Sequence, residues 1–160
     1  MRTLVVFYSL SGNSRAVGEA IASALSADVE EIRCDRYRLR ILDALKAAYD
    51  GWSGKLPTIG APQRSPSDYD LVVVGGPIWA WHAATPVRAY LRQLTGQFRS
   101  VAFFLTHGGS PPDRAFGEME TLADATPQAV IAIRESDVKA RRFQPVISAF
   151  VSALRRDEAA

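Results

Sequence analysis

Four consecutive uncharged residues, Leu71-Val72-Val73-Val74, constrain the fold more than any other stretch of the chain. A β-branched run with no polar face belongs in a strand buried on both sides, and such strands occur where helices cover both faces of a parallel sheet. Leu4 to Tyr8 and Val101 to Leu105 have the same character, and Val29 to Arg33 and Ala129 to Ile133 read as shorter strands. Between them lie segments with helical spacing: Ser14 to Leu25, about Leu39 to Tyr49 with Leu42, Leu45 and Tyr49 on one face, Pro86 to Leu94, Asp113 to Ala125, and about Lys139 to Arg155. Pro86 suits a first helical turn, because its missing N–H would have no partner there. Strict alternation of strands and helices predicts a doubly wound five-stranded parallel sheet in an α/β/α three-layer arrangement, and right-handed crossovers leave few topologies. With 160 residues and no internal repeat, one domain covering residues 1–160 is expected. The breaker-rich stretch from Gly51 to Ser67 reads as a surface excursion of that domain.

In a sheet of this kind, ligands bind beyond the carboxyl ends of the strands. Three such ends carry unusual chemistry. After the first strand comes Ser9-Leu10-Ser11-Gly12-Asn13-Ser14, directly before a helix. The first N–H groups of that helix have no intrahelical partner, and its dipole favours an anion. Three serine hydroxyls add donors, and Gly12 allows a tight turn. The loop has no Lys and does not read G-x-G-x-x-G, so it fits a phosphate monoester held by neutral donors; a helix capped by Ser11 or Asn13 with no ligand is the alternative. After Val74 comes Gly75-Gly76-Pro77-Ile78-Trp79-Ala80-Trp81-His82, whose tryptophans suit stacking on a planar heteroaromatic, or else cover the neighbouring helix and surface. After Leu105, the Gly-rich Thr106-His107-Gly108-Gly109-Ser110 lets the backbone approach a flat ligand edge, or makes an ordinary strand-to-helix turn. A ligand with a phosphate at one end and an aromatic ring system at the other would satisfy all three.

Several function classes fall away. The net charge of +2 and the scatter of the arginines give no basic stripe, so no nucleic-acid partner is expected. No apolar stretch approaches the ~18 residues of a membrane span. Met1-Arg2-Thr3-Leu4 runs straight into a strand without a signal-peptide core, and the single cysteine, Cys34, excludes an internal disulfide; a cytoplasmic protein is expected. Cys34 reads as a packing residue, with a redox role as the alternative.

The chain resembles the flavodoxin family over essentially its whole length. Ser9-Leu10-Ser11-Gly12-Asn13-Ser14 is similar to the T/S-x-T/S-G-N-T/S phosphate signature, Gly76-Pro77-Ile78-Trp79 resembles the G-x-P-x-W loop bordering the isoalloxazine, and Thr106-His107-Gly108-Gly109 occupies the place of the second flavin-edge loop. The resemblance implies strand order 2-1-3-4-5 and a bound FMN. It assigns Ser9, Leu10, Ser11, Gly12, Asn13 and Ser14 to the phosphate, and Trp79, with Trp81, to the ring. Pro77, Ile78 and Ala80 would shape the loop near the flavin N5, and Thr106, His107, Gly108 and Gly109 would lie along the pyrimidine side. His82 becomes the candidate for a proton donor to the reduced ring or a substrate, or is simply exposed. A receiver domain would share this sheet but needs acidic residues after the first strand, where the chain has Phe7-Tyr8-Ser9.

One departure bears on role. Electron-carrier flavodoxins are strongly acidic around the flavin, whereas here no acidic residue occurs from Gly75 through Gly109 and the sequence pI is about 8.9. A one-electron carrier working with a redox partner protein and an FMN-dependent NAD(P)H:quinone-type oxidoreductase acting on a small quinone-like substrate are both open. A flavin-free binding or interaction domain is the alternative from another class. A helix and a Trp52-containing loop between Asp35 and Ser67 are expected near the site, where they would cover the flavin.

Overall fold

The computed structural model describes residues 1–37 and 42–158. Among the described residues, five strands form one parallel sheet: β1 (Thr3–Phe7), β2 (Asp28–Glu31), β3 (Leu71–Trp79), β5 (Val101–His107) and β6 (Pro127–Arg134), in the spatial order β2-β1-β3-β5-β6. A two-residue strand, β4 (His82–Ala83), pairs antiparallel with the end of β3. Setting β4 aside, the order is the expected 2-1-3-4-5.

The runs that read as strands are buried because both of their faces are used. Val5 lies beside Val73 and Val73 beside Ala102 in register. Alternate residues of one strand feed opposite cores. Leu4, Val6, Val72, Val74, Phe103 and Leu105 meet α3 (Thr85–Gln93) and α4 (Asp113–Ala123) through Val87, Tyr90, Leu91 and Met119. Val5, Phe7, Leu71, Val73 and Phe104 meet α1 (Asn13–Leu25) and α6 (Gln144–Glu158) through Val17, Ile21, Ile147 and Leu154. This two-sided burial supplies the main driving force for the fold. The outer edge of β2 is covered by the excursion that follows α2 (Leu42–Ser53): the Gly60 N–H donates to the Arg33 carbonyl, and the N–H groups of Gln63 and Arg64 donate to the buried Glu30 carboxylate. No helix among the described residues is long and apolar enough to cross a membrane.

Several boundaries differ from the sequence expectation. β3 runs on through Gly75-Gly76-Pro77 to Trp79 instead of ending at Val74, because β5 stays alongside as far as Pro77↔Thr106. Pro77 is tolerated there since β1 ends opposite Gly75 and no longer runs beside it. Gly76 is required at this point: a Cβ would lie 2.6 Å from Val87 Cγ2, where α3 presses on the sheet. The last helix, read from about Lys139, begins instead at Gln144 as α6, after a short helix that was not expected, α5 (Glu135–Lys139), and a break at Arg141 with φ 56°; Pro145 lies in the first turn of α6. The helix expected from Leu39 falls partly outside the described residues. Its described part, α2, turns Leu42, Leu45 and Tyr49 outward, and Trp52 lies in its last turn rather than in a loop. α2 is tethered instead through the buried Asp50.

Candidate functional site

The Ser9–Ser14 loop is pre-shaped by its own hydrogen bonds. Gly12, at φ 95°, turns the chain into α1. The N–H groups of Gly12 and Arg15 both donate to Ser9 Oγ, at 3.1 and 3.2 Å, and Asn13 Nδ2 donates to Ser11 Oγ at 3.2 Å. With their oxygens held as acceptors, the hydroxyl hydrogens of Ser9 and Ser11 remain to be donated outward. Leu10 and Ser11 are exposed and Ser9 and Gly12 half-buried, so this face of the loop is open. Ser14 behaves differently. It is buried, and its hydroxyl bonds Thr106 Oγ1 at 2.7 Å, tying the loop to β5. No acidic residue lies in the first turn of α1, and the nearby Arg15 is paired with Glu31.

The second stretch is a hairpin, not an open loop. Ile78 pairs with Ala83 and Trp79 with His82. Ala80 and Trp81 form the turn at φ 48° and 67°, a left-handed pair that normally calls for Asn or Gly. Each such residue costs about 1–3 kcal/mol, and the surroundings must over-determine it. Trp81 stands at the tip, 61% exposed. Trp79 is half-buried and packs edge-on against Tyr8 (centroids 5.6 Å apart) and Tyr37 (5.0 Å). His82 Nδ1 donates to Glu118 Oε1 on α4.

The third stretch begins later than its composition suggests, because β5 extends through His107 and leaves Thr106 wholly buried in the sheet. His107 Nδ1 is buried with no hydrogen-bond partner. Burial, helped by nearby Arg134, lowers the pKa of this imidazole and favours its neutral form. Gly108 and Gly109 are exposed, with nothing within 4 Å of where a Cβ would sit. An unsatisfied imidazole nitrogen beside an open glycine pair at a sheet end suits a flat heteroaromatic edge that carries hydrogen-bonding atoms.

Behind Trp79 lies a network that sequence reading missed. The Tyr37 hydroxyl donates to Asp50 Oδ2 (2.7 Å) and is paired with Thr85 Oγ1 (2.8 Å), while Arg36 donates to both Asp50 oxygens at 2.6 and 3.0 Å. Asp50 is 1% exposed. Its hydrogen bond from Arg36 holds its carboxyl below the usual carboxylate range, and burial pushes Tyr37 up to about 12. The network joins α2, the segment after β2 and the start of α3, and it fixes the ring against which Trp79 rests. Tyr8 was equally unread, although its position directly before Ser9 is a signal.

Asp50→Ala is expected to lower stability at neutral pH by about 2–3 kcal/mol, since it removes hydrogen bonds to a charged acceptor. The sign of the pH effect follows from the lowered carboxyl. Its contribution is complete above the ordinary carboxylate range and is lost as pH falls through the depressed folded value. Denaturant titrations at neutral and acid pH should therefore show wild type losing more stability toward acid than Asp50→Asn. Equal losses would mean that the Asp50 carboxylate adds nothing.

A cleft of about 750 Å³ opens beside Ser9 and Ser11 and runs over β2 between Arg33, Tyr37 and Gln63. Neither the hairpin tip nor residues 106–109 line it. Cys34 is half-buried in its wall, and burial raises its thiol pKa, as suits packing rather than thiolate chemistry. No cluster of three or more His, Cys, Asp or Glu side chains suited to a metal occurs among the described residues.

Comparison with known proteins agrees with this layout. A family model described as flavodoxin matches residues 2–134. A flavoprotein from Lactobacillus acidophilus NCFM, solved in complex with FMN, is 25% identical, with a TM-score of 0.71 over 87% of this chain and 97% of that one. The apo-form of the flavoprotein from the same organism is 26% identical, with a TM-score of 0.64 over 86% and 95% of the two chains. General stress protein 14 from Treponema denticola, in complex with FMN, shares the fold at 11% identity, with a TM-score of 0.58 over 98% and 99%. The search of curated proteins found no match.

Proposed function

The chain belongs to the flavodoxin family, and on that premise we propose that it binds FMN non-covalently at the carboxyl ends of β1, β3 and β5 and acts as an FMN-dependent oxidoreductase on a small quinone-like acceptor. The observation that carries the flavin assignment is the Ser9–Ser14 loop, where two outward hydroxyls and the first turn of α1 converge with no competing carboxylate in that turn. Bound there, FMN would supply one- and two-electron chemistry. Ser9, Ser11, Asn13 and the backbone N–H groups around Gly12 would hold the phosphate, while Leu10 shapes the loop and Ser14 keeps it attached to β5. Trp79, with Tyr8 and Tyr37 behind it, would border the ring, with Trp81 shielding its outer edge. Ile78 and Ala80 set where that hairpin lies, and His107 with Gly108 and Gly109 would meet the pyrimidine side.

The choice of an oxidoreductase over a one-electron carrier rests on charge. From Gly75 to Gly109 there is no carboxylate, and the two that packing brings close, Asp50 and Glu118, are engaged by Arg36 and Tyr37 and by His82. One carboxylate at about 4 Å with an effective dielectric near 20 contributes on the order of 4 kcal/mol before screening. Without such a collar, the second electron should enter at a potential less negative than in acidic carriers, with the two couples close together. Redox titration followed in the visible spectrum, alongside NAD(P)H oxidation with a quinone, tests this. A one-electron form stable over a wide potential range, with no turnover, would restore the carrier reading. A purified protein that is colourless and takes up no flavin would leave a flavin-free interaction domain.

A further inference from the structure

We propose that His82, Glu118 and Arg88 form a proton-operated latch that fixes the Ile78–Ala83 hairpin against α4 and makes FMN binding pH-dependent, the second half resting on the flavin reading above. The hairpin needs such a tether. Its return strand has two residues, and its turn residues, Ala80 and Trp81, both lie in the left-handed region, which neither side chain favours. The tether is the hydrogen bond from His82 Nδ1 to Glu118 Oε1, with the two side chains only 14% and 24% exposed.

The carboxylate has a second claimant. Glu118 Oε2 forms a long ion pair, 4.0 Å, with Arg88 Nε on α3, and both of these atoms and Arg88 Nη1 are buried without a hydrogen-bond partner. Unsatisfied polar atoms in a buried cluster are costly, so the carboxylate gains by closing on whichever cation is stronger. When His82 carries a proton taken from solvent, its bond to Glu118 joins opposite charges and the hairpin is held. When His82 is neutral, the permanently charged Arg88 attracts the carboxylate more strongly, and the hairpin loses this tether. Of the elements packed around β4, β3 carries no titratable side chain, α3 adds Tyr90 and Arg92, α4 adds Asp113, Arg114 and Glu120, and α2 adds Lys46, Tyr49 and Asp50, the last committed to Arg36 and Tyr37. Among the described residues, none of these is hydrogen-bonded or ion-paired to His82 or Glu118. Glu118 is thus a positioning residue, acting through His82 on Trp79 and Trp81.

The test follows the His82 ring and the backbone amides of residues 79–83 by NMR across pH in the apoprotein, and measures FMN affinity over the same range. In the wild type, ring and amides should share one midpoint. FMN should bind about tenfold more tightly below that midpoint than above it, within the usual range of coupling between two sites. Glu118→Gln should lower the His82 midpoint and uncouple the amides, and His82→Gln should make FMN affinity independent of pH. Amides that ignore the titration of His82, or a His82 midpoint unchanged in Glu118→Gln, would overturn the latch. Amides that follow His82 in a protein taking up FMN at no pH would uphold the latch and sink the flavin reading instead.

Discussion

Trp79→Ala is expected to lower stability by about 2–4 kcal/mol and to weaken FMN binding well beyond the effect of Trp52→Ala. The first part is packing. Trp79 is half-buried between Tyr8 and Tyr37, and truncation leaves a void facing two aromatic edges. Phe or Trp to Ala in a full core costs about 3–5 kcal/mol, so partial exposure places this site somewhat lower. The second part is contact with the ring, since an indole beside a flavin also quenches its emission. Bound-flavin fluorescence should therefore brighten in Trp79→Ala. Trp52 is 78% exposed and touches Tyr49, so its loss should be nearly silent in both readouts. A larger effect from Trp81→Ala would keep the hairpin at the ring but move the contact to its tip; no effect from either would make the hairpin purely structural.

The double change Ser9→Ala with Ser11→Ala is expected to weaken FMN binding more than about 100-fold, because two hydrogen bonds to a charged acceptor contribute about 1.5–3 kcal/mol each. Ser9 has a second role: its oxygen accepts from the N–H groups of Gly12 and Arg15, so its removal also loosens the cradle. Ser14→Ala should act through stability instead, by stranding the buried Thr106 hydroxyl. Calorimetric titration of the variants with FMN and riboflavin separates the two effects. A loss confined to FMN identifies a phosphate contact, whereas an equal loss for both flavins would mean that the loop had collapsed.

The parts of this arrangement that were readable from the sequence are those carried by short-range pattern. An apolar run such as Leu71–Val74 reports its burial through composition alone, and the Ser9–Ser14 turn reports a helix start through its hydroxyls and glycine. What escaped depends on residues distant in the chain. Gly75 and Gly76 read as the start of a loop, yet β5 on one side and α3 above make glycine the residue that fits within the strand. β4 is two residues long and has no periodicity to detect, and its left-handed Ala80 and Trp81 lack the usual turn residues. Asp50 and Tyr37 meet across 13 positions, and His82 and Glu118 across 36, in side-chain contacts that only the packing of α2, α3 and α4 produces. Leu42, Leu45 and Tyr49 have a helical spacing that was legible, but spacing does not say which way the face turns when one buried carboxylate decides the docking.

The central claim, that the β1–α1 loop is a phosphate site for a flavin mononucleotide, is tested most directly by titrating wild-type apoprotein with FMN and with riboflavin. The two ligands share the ring and the ribityl chain and differ only in the phosphate. At least a tenfold preference for FMN, about 1.4 kcal/mol or more, is the predicted result. Equal affinity for the two, or no uptake of either, would contradict it.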